Sequence, residues 1–139
     1  MDAVCKCRLA NFIARQPASQ WAGKRVLELG CGCGLVGLTA AAAGSQVVLT
    51  DLVLAMAQRN LDANFAPEDL GIATASCSDT AAGARVMLQQ LQWGSVSDIT
   101  AVQAAAGSRH FDFILGTDLL YSQECWRELA QARFDSPTV

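Results

Sequence analysis

The densest chemical signal in this 139-residue sequence is the run Glu28-Leu29-Gly30-Cys31-Gly32-Cys33-Gly34-Leu35-Val36-Gly37. From Gly32 to Gly37 it satisfies the G-x-G-x-x-G spacing, which lets a backbone turn between a strand and a helix approach a nucleotide-like cofactor closely. Asp51 lies 19 residues beyond Gly32, at the end of a second apolar run, where a carboxylate can accept hydrogen bonds from ribose hydroxyls. Both features are shared by dinucleotide sites and by sites for S-adenosylmethionine. Glu28 separates the two. A pyrophosphate rests against the turn and the helix N-terminus, and an added carboxylate there would repel it. S-adenosylmethionine carries an ammonium and a sulfonium and no phosphate, so the same carboxylate favours it. Glu28, Gly30, Gly32 and Asp51 are therefore the first candidates for cofactor binding.

Other chemistries find little support. His110 is the single histidine and falls just before a strand, at the end away from the turn, so no Ser-His-Asp or Cys-His arrangement can be built. The pairs Cys5/Cys7 and Cys31/Cys33 are spaced too tightly for a zinc knuckle, and Cys31 and Cys33 alternate with glycines as small residues of a turn. With no secretory signal visible, the six cysteines are read as reduced thiols and the compartment as the cytoplasm or nucleus. No metal is expected.

The elements that must position these residues alternate along the chain. Residues 3 to 16 read as a helix closed by Pro17, with Leu9, Phe12 and Ile13 as a stripe that docks on a sheet. Arg25 to Leu29 is a strand, Leu35 to Ala43 a helix ended by Gly44, and Gln46 to Thr50 a strand buried on both faces. Leu54, Ala57, Leu61 and Phe65 recur at helical spacing. Ile72 to Cys77 is a weaker third strand, and 78 to 110 is assigned only loosely. Phe111 to Leu115 is a fourth strand, after which Ser122 can cap a last helix bearing Trp126, Leu129 and Ala130. Alternation of this kind predicts an α/β fold with a parallel sheet.

A 52% hydrophobic and 17% charged composition at this length provides one core and leaves no room for a second domain. The net charge of -3 and pI near 4.9 argue against nucleic acid as the partner. Gly, Thr and Asp interrupt every apolar stretch, so no membrane span is expected. Lys6, Arg8, Arg15, Lys24 and Arg25 gather before the Gly-rich turn and read as a solvated helix face.

In this order the motifs resemble those of the methyltransferase-16 family, seven-strand Rossmann-like enzymes that mostly methylate lysines on non-histone proteins. Val26 to Gly37 resembles its first motif, Val48 to Leu52 its acidic motif, and Asn60 to Asn64 the helix that follows. Leu91-Gln92-Trp93-Gly94 is similar to its Trp-Gly turn, and Phe113 to Tyr121 to its strand-four signature. The resemblance implies cofactor contacts from Gly30, Cys31, Gly32, Asp51, Trp93 and Thr117, a core aromatic being the alternative for Trp93. It assigns Asp118 to orienting the acceptor amine and Tyr121 to lining the methyl channel. Thr117 replaces the more usual Ala or Ser. Leu119 and Leu120 stand where base-methylating relatives have two prolines, which favours a protein amine, of lysine or alternatively of histidine or an N-terminus, over a nucleobase.

The complete family sheet is ordered 3-2-1-4-5-7-6. Against it, residues 1–139 are expected to form a single S-adenosylmethionine-binding domain corresponding to the N-terminal half, ordered 3-2-1-4, with the remaining strands missing. Strand four would then be an open apolar edge prone to self-association, and the chain alone a weak binder with little turnover. Two other functions stay open: a catalytically silent cofactor-binding or interaction fragment, and an NAD-type oxidoreductase.

Overall fold

Val26, Leu27 and Leu29 in one run and Val47, Val48 and Leu49 in the next are apolar on alternate faces, which suits strands covered on both sides. The computed structural model describes residues 3–66, 85–107, 110–119 and 127–129. In chain order the elements are α1 (Ala3–Arg15), a 3-10 turn (Ala18–Gln20), β1 (Arg25–Leu29), α2 (Leu35–Ala42), β2 (Gln46–Asp51), α3 (Ala55–Asn64), β3 (Arg85–Gln90), α4 (Val96–Ala105) and β4 (Phe113–Gly116). The four strands form one sheet in the order β3-β2-β1-β4, parallel throughout. This is the 3-2-1-4 order expected of the fold.

The third strand differs from expectation. It is Arg85–Gln90, pairing Val47 with Val86 and Asp51 with Gln90, whereas Ile72 to Cys77 lie outside the described residues. The loosely assigned stretch also contains α4. Ser95 caps α4 by accepting from the Asp98 N–H at 3.3 Å, and the Asp98 carboxylate turns back to accept from Gln92 N–H at 2.9 Å. That reciprocal cap fixes the α4 start immediately after the Trp93-Gly94 turn. The Gln92 bond, first among several, holds the Asp98 carboxyl below its ordinary pKa.

Each sheet face has its own core. Val26, Val47 and Leu49 face Ile13, Val36, Leu38, Ala40, Ala57 and Leu61 of the first three helices. Leu27, Leu29 and Val48 face Leu91 and Val102, with Met87, Trp93, Phe111, Leu119 and Leu129 packed at the margin. α1 packs against α2 through Ile13 and Ala10, while Phe12 stays 57% exposed. Phe12 is thus not part of the docking stripe. β4 begins at Phe113 rather than Phe111, because Asp112 is tied to the start of β1 through Arg25, whose N–H donates to the Asp112 carboxylate at 2.8 Å. Of the last helix expected, residues 127–129 are described as helical; Ser122, Trp126 and Ala130 lie outside the described residues.

α2 reaches the sheet closely at Gly37. A Cβ there would run into Leu49 Cδ2 and stand 2.7 Å from Glu28 Oε2 and 3.1 Å from Val47 Cγ1. Two of these neighbours are fully buried side chains of the core, so the helix must lift if the glycine is filled. Gly37→Ala is expected to destabilise the chain by about 1–3 kcal/mol through overpacking, read as a lower urea midpoint at unchanged slope.

Candidate functional site

The Gly-rich turn leaves β1 at its carboxyl end and is locked from below by hydrogen bonds. Cys31 N–H donates to Thr50 O at 2.9 Å and Gly34 N–H to Cys31 O at 2.9 Å. Gly32 N–H donates to Asp51 Oδ2 at 2.7 Å, and the Asn60 side chain holds Cys33 O at 2.8 Å. Gly30 and Gly32, at φ 60° and 57°, adopt the left-handed backbone that a side chain disfavours. A Cβ on Gly30 would also lie 2.7 Å from Leu119 Cδ2 and 3.8 Å from Trp93 Cζ2. The turn, the Trp93-Gly94 turn and the end of β4 therefore converge at one place.

Glu28 is 1% exposed. Alternation along β1 puts it on the α2 side, where its Oε2 accepts from Gly37 N–H at 2.7 Å. Burial pushes its carboxyl from 4.5 up to about 7, against the lowering effects of the Gly37 bond and the nearby Lys6. Cys31 is fully buried and burial raises its thiol to about 12, so its side chain is an inert core group. Only the Cys31 backbone belongs to the site.

Asp51 spans two tasks. Oδ2 holds the turn, and Oδ1 accepts from Leu52 N–H at 2.7 Å and Val53 N–H at 3.4 Å. A carboxylate has about four acceptor positions, so capacity remains for a ligand hydroxyl. On the far side of β1, Thr117 Oγ1 is buried without a hydrogen-bond partner among the described residues. Asp118 is exposed and has φ 58°, a strained backbone that Asp tolerates better than most residues and that aims its carboxylate from a fixed corner. Tyr121 lies outside the described residues.

One member of the site was not foreseen. Lys6, read from sequence as part of a solvated face, donates to Cys31 O at 3.1 Å and to Gly30 O at 3.5 Å. Its spacing to Ala10 and Ile13 is i+4 and i+7, the buried face of α1, and that periodicity was the signal available. The structure therefore brings Glu28, Gly30, Cys31, Gly32 and Asp51 into one bonded unit, with Trp93, Thr117 and Asp118 at its margin.

A parallel sheet ordered 3-2-1-4, with a Gly-rich turn after β1 and acids closing β2 and β4, defines the Rossmann-like methyltransferase class. The family model described as Lysine methyltransferase matches residues 4–133, and the chain belongs to that family. It is 35% identical over 109 residues to Protein N-lysine methyltransferase METTL21A of Xenopus tropicalis, covering 76% of this chain and 40% of that protein. It is 33% identical to EEF1A lysine methyltransferase 3 of Mus musculus, over 71% of this chain and 34% of the relative. Calmodulin-lysine N-methyltransferase of Arabidopsis thaliana is 32% identical over 88% of this chain and 36% of its own length. The chain thus spans about two fifths of these relatives or less. Among the described residues no helix is long and apolar enough to cross a membrane.

The buried Glu28 carries a pH signature. Its folded pKa, about 7, lies above its ordinary 4.5, so between these values the folded chain holds more protons than the unfolded one. Its contribution to stability is complete below pH 4.5 and is lost as the pH rises through about 7. Thermal melts across this window should show a falling midpoint in the wild type and a flatter profile in Glu28→Gln.

Proposed function

We propose that the chain supplies the S-adenosylmethionine-binding part of a methyltransferase acting on a lysine side chain of a protein. The observation that carries this reading is the polarity of the turn. The N–H groups of Cys31, Gly32 and Gly34, which a pyrophosphate would need, donate to protein oxygens. The carbonyls of Gly30 and Cys31 hold an ammonium. A turn of that polarity favours a cationic amino-acid cofactor over NAD.

The residues present fit that group. The carbonyls of Gly30 and Cys31 would take its ammonium, Asp51 its ribose hydroxyls, and Trp93 and the Thr117 hydroxyl, without a partner among the described residues, would border the remainder. Glu28 acts from behind, through its charge and its bond to Gly37 N–H. When bound, S-adenosylmethionine supplies an electrophilic methyl on a sulfonium. The protein must then present a neutral amine, although a free lysine titrates near 10.4. Asp118 is assigned to orienting that amine by accepting one of its N–H bonds, and Tyr121 to the channel wall; proximity to a cation and exclusion of water favour the neutral form. A protein amine suits Leu119, whose side chain lies over Gly30 and Gly116 where a flat base would need a slot. The names of the relatives, which specify protein lysines, support the same acceptor class, and the cytoplasm or nucleus is the compartment proposed.

By calorimetry the chain should bind S-adenosylmethionine and not NAD. Asp51→Ala should weaken that binding by about 1.5–3 kcal/mol, the worth of hydrogen bonds to a charged acceptor. Asp118→Asn, which keeps a residue tolerant of the left-handed backbone, should leave cofactor affinity intact and reduce labelled-methyl transfer to protein lysine by roughly 100-fold or more through lost orientation. Tight NAD binding, or an Asp51→Ala chain of unchanged affinity, would refute the reading.

The apolar edge of the sheet supports a second proposal. Among the described residues β4 is an edge of the sheet, with Phe113 and Ile114 37% and 51% exposed, and edge strands pair readily with other chains. Self-association of this chain through β4 follows, visible as concentration-dependent sedimentation that Ile114→Lys abolishes.

A further inference from the structure

Lys6 reaches the turn from a different element, α1, which plays no part in the G-x-G-x-x-G signature. Its Nζ lies 3.1 Å from Cys31 O and 3.5 Å from Gly30 O, and a Cβ placed on Gly32 would stand 2.5 Å from it. The charge is felt deeper in the site, where it lowers the pKa of the buried Glu28. A solvated lysine gains entropy by leaving its ammonium in water. This one is instead laid across the mouth of the turn, with a primary ammonium on two backbone carbonyls backed by Glu28 and Asp51.

A primary ammonium on those carbonyls is also what the amino-acid end of S-adenosylmethionine would present. We infer that Lys6 is an internal competitor for this subsite: its ammonium and the α-ammonium of the cofactor contend for the carbonyls of Gly30 and Cys31. The inference rests on the proposed function and identifies a residue that sets its affinity. Two ammonium groups within hydrogen-bond reach of Cys31 O would repel each other at close range. The side chain of Lys6 can yield, because four flexible bonds connect the ammonium to a helix beside solvent. Binding of the cofactor then requires Lys6 to swing off the turn, and release of the product, which carries the same ammonium, is assisted by its return. A nucleoside lacking the amino-acid end does not meet Lys6 at all.

The test compares S-adenosylhomocysteine, which has the ammonium, with 5′-methylthioadenosine, which lacks it, by calorimetry on the full 139-residue chain. Lys6→Met keeps the apolar stem and removes the charge. It should tighten S-adenosylhomocysteine roughly tenfold, the worth of about one charge-assisted hydrogen bond, and leave 5′-methylthioadenosine within about twofold. Lys6→Arg, retaining a cation, should stay near the wild type for both. In the wild type, S-adenosylhomocysteine and not 5′-methylthioadenosine should increase acetylation of the Lys6 amine by acetic anhydride, read by mass spectrometry. Unchanged or weaker S-adenosylhomocysteine binding in Lys6→Met, or a gain shared equally by both nucleosides, would overturn the competition while leaving the cofactor assignment standing. Failure of all three proteins to bind either nucleoside would overturn the cofactor assignment and the competition together.

Discussion

Gly32 N–H donates to the Asp51 carboxylate at 2.7 Å, and Cys31 N–H donates to Thr50 O at 2.9 Å. Both bonds depend on the register of β1 against β2, in which Glu28 lies beside Leu49 and β2 runs on to Asp51 past the end of β1 at Leu29. A slip of one residue would exchange the faces of β2 and carry Asp51 away from the turn. The pairing therefore serves as sheet, as anchor of the Gly-rich turn and as the means of placing the Asp51 carboxylate, for which ribose binding is proposed. Leu91 N–H extends the same strand end by donating to Asp51 O at 3.1 Å, which brings the Trp93-Gly94 turn beside Gly30.

The electrostatic arrangement around that anchor is layered. Glu28 is sealed beneath α2, Asp51 holds the turn from the end of β2, and Lys6 lies above the turn. Desolvation works against the charged form of Glu28, while the Gly37 N–H and Lys6 favour it. A cation on the turn thus has a structural effect as well as a binding one, because it helps a buried carboxylate remain ionised. This links the conformation of α1 to the charge state of the first strand.

Asp118 meets a different constraint. Where β4 ends at Gly116, a Cβ would collide with the Leu119 side chain, and the chain turns through the positive φ of Asp118. Leu119 folds back over Gly30 as it does so. The corner that projects the proposed acceptor-orienting carboxylate is the same one that closes the second core, so packing and chemistry share a few residues here.

The helices and strands bearing the main motifs were legible in sequence because their patterns are local. Apolar runs of strand length, Gly34 and Gly44 at helix ends, and an acid closing β2 depend only on neighbours along the chain. Alternation predicted the parallel sheet with right-handed crossovers, and the family resemblance implied its order, 3-2-1-4. β3 and α4 were not legible. Val86, Met87 and Leu88 form a short apolar run between polar residues, and the Ala-rich α4 has a weak amphipathic pattern, so only pairing with β2 and packing on Val102 distinguish them. The sequence by itself determined the fold class and the positions of Gly30, Gly32, Asp51 and Asp118 at strand ends. Tertiary structure alone decided that Glu28 faces α2, that Cys31 contributes only backbone, that Asp118 takes a strained corner, and that Lys6 lies on the turn. Those outcomes depend on which groups from distant elements meet, and the direction of a side chain in three dimensions has no local code.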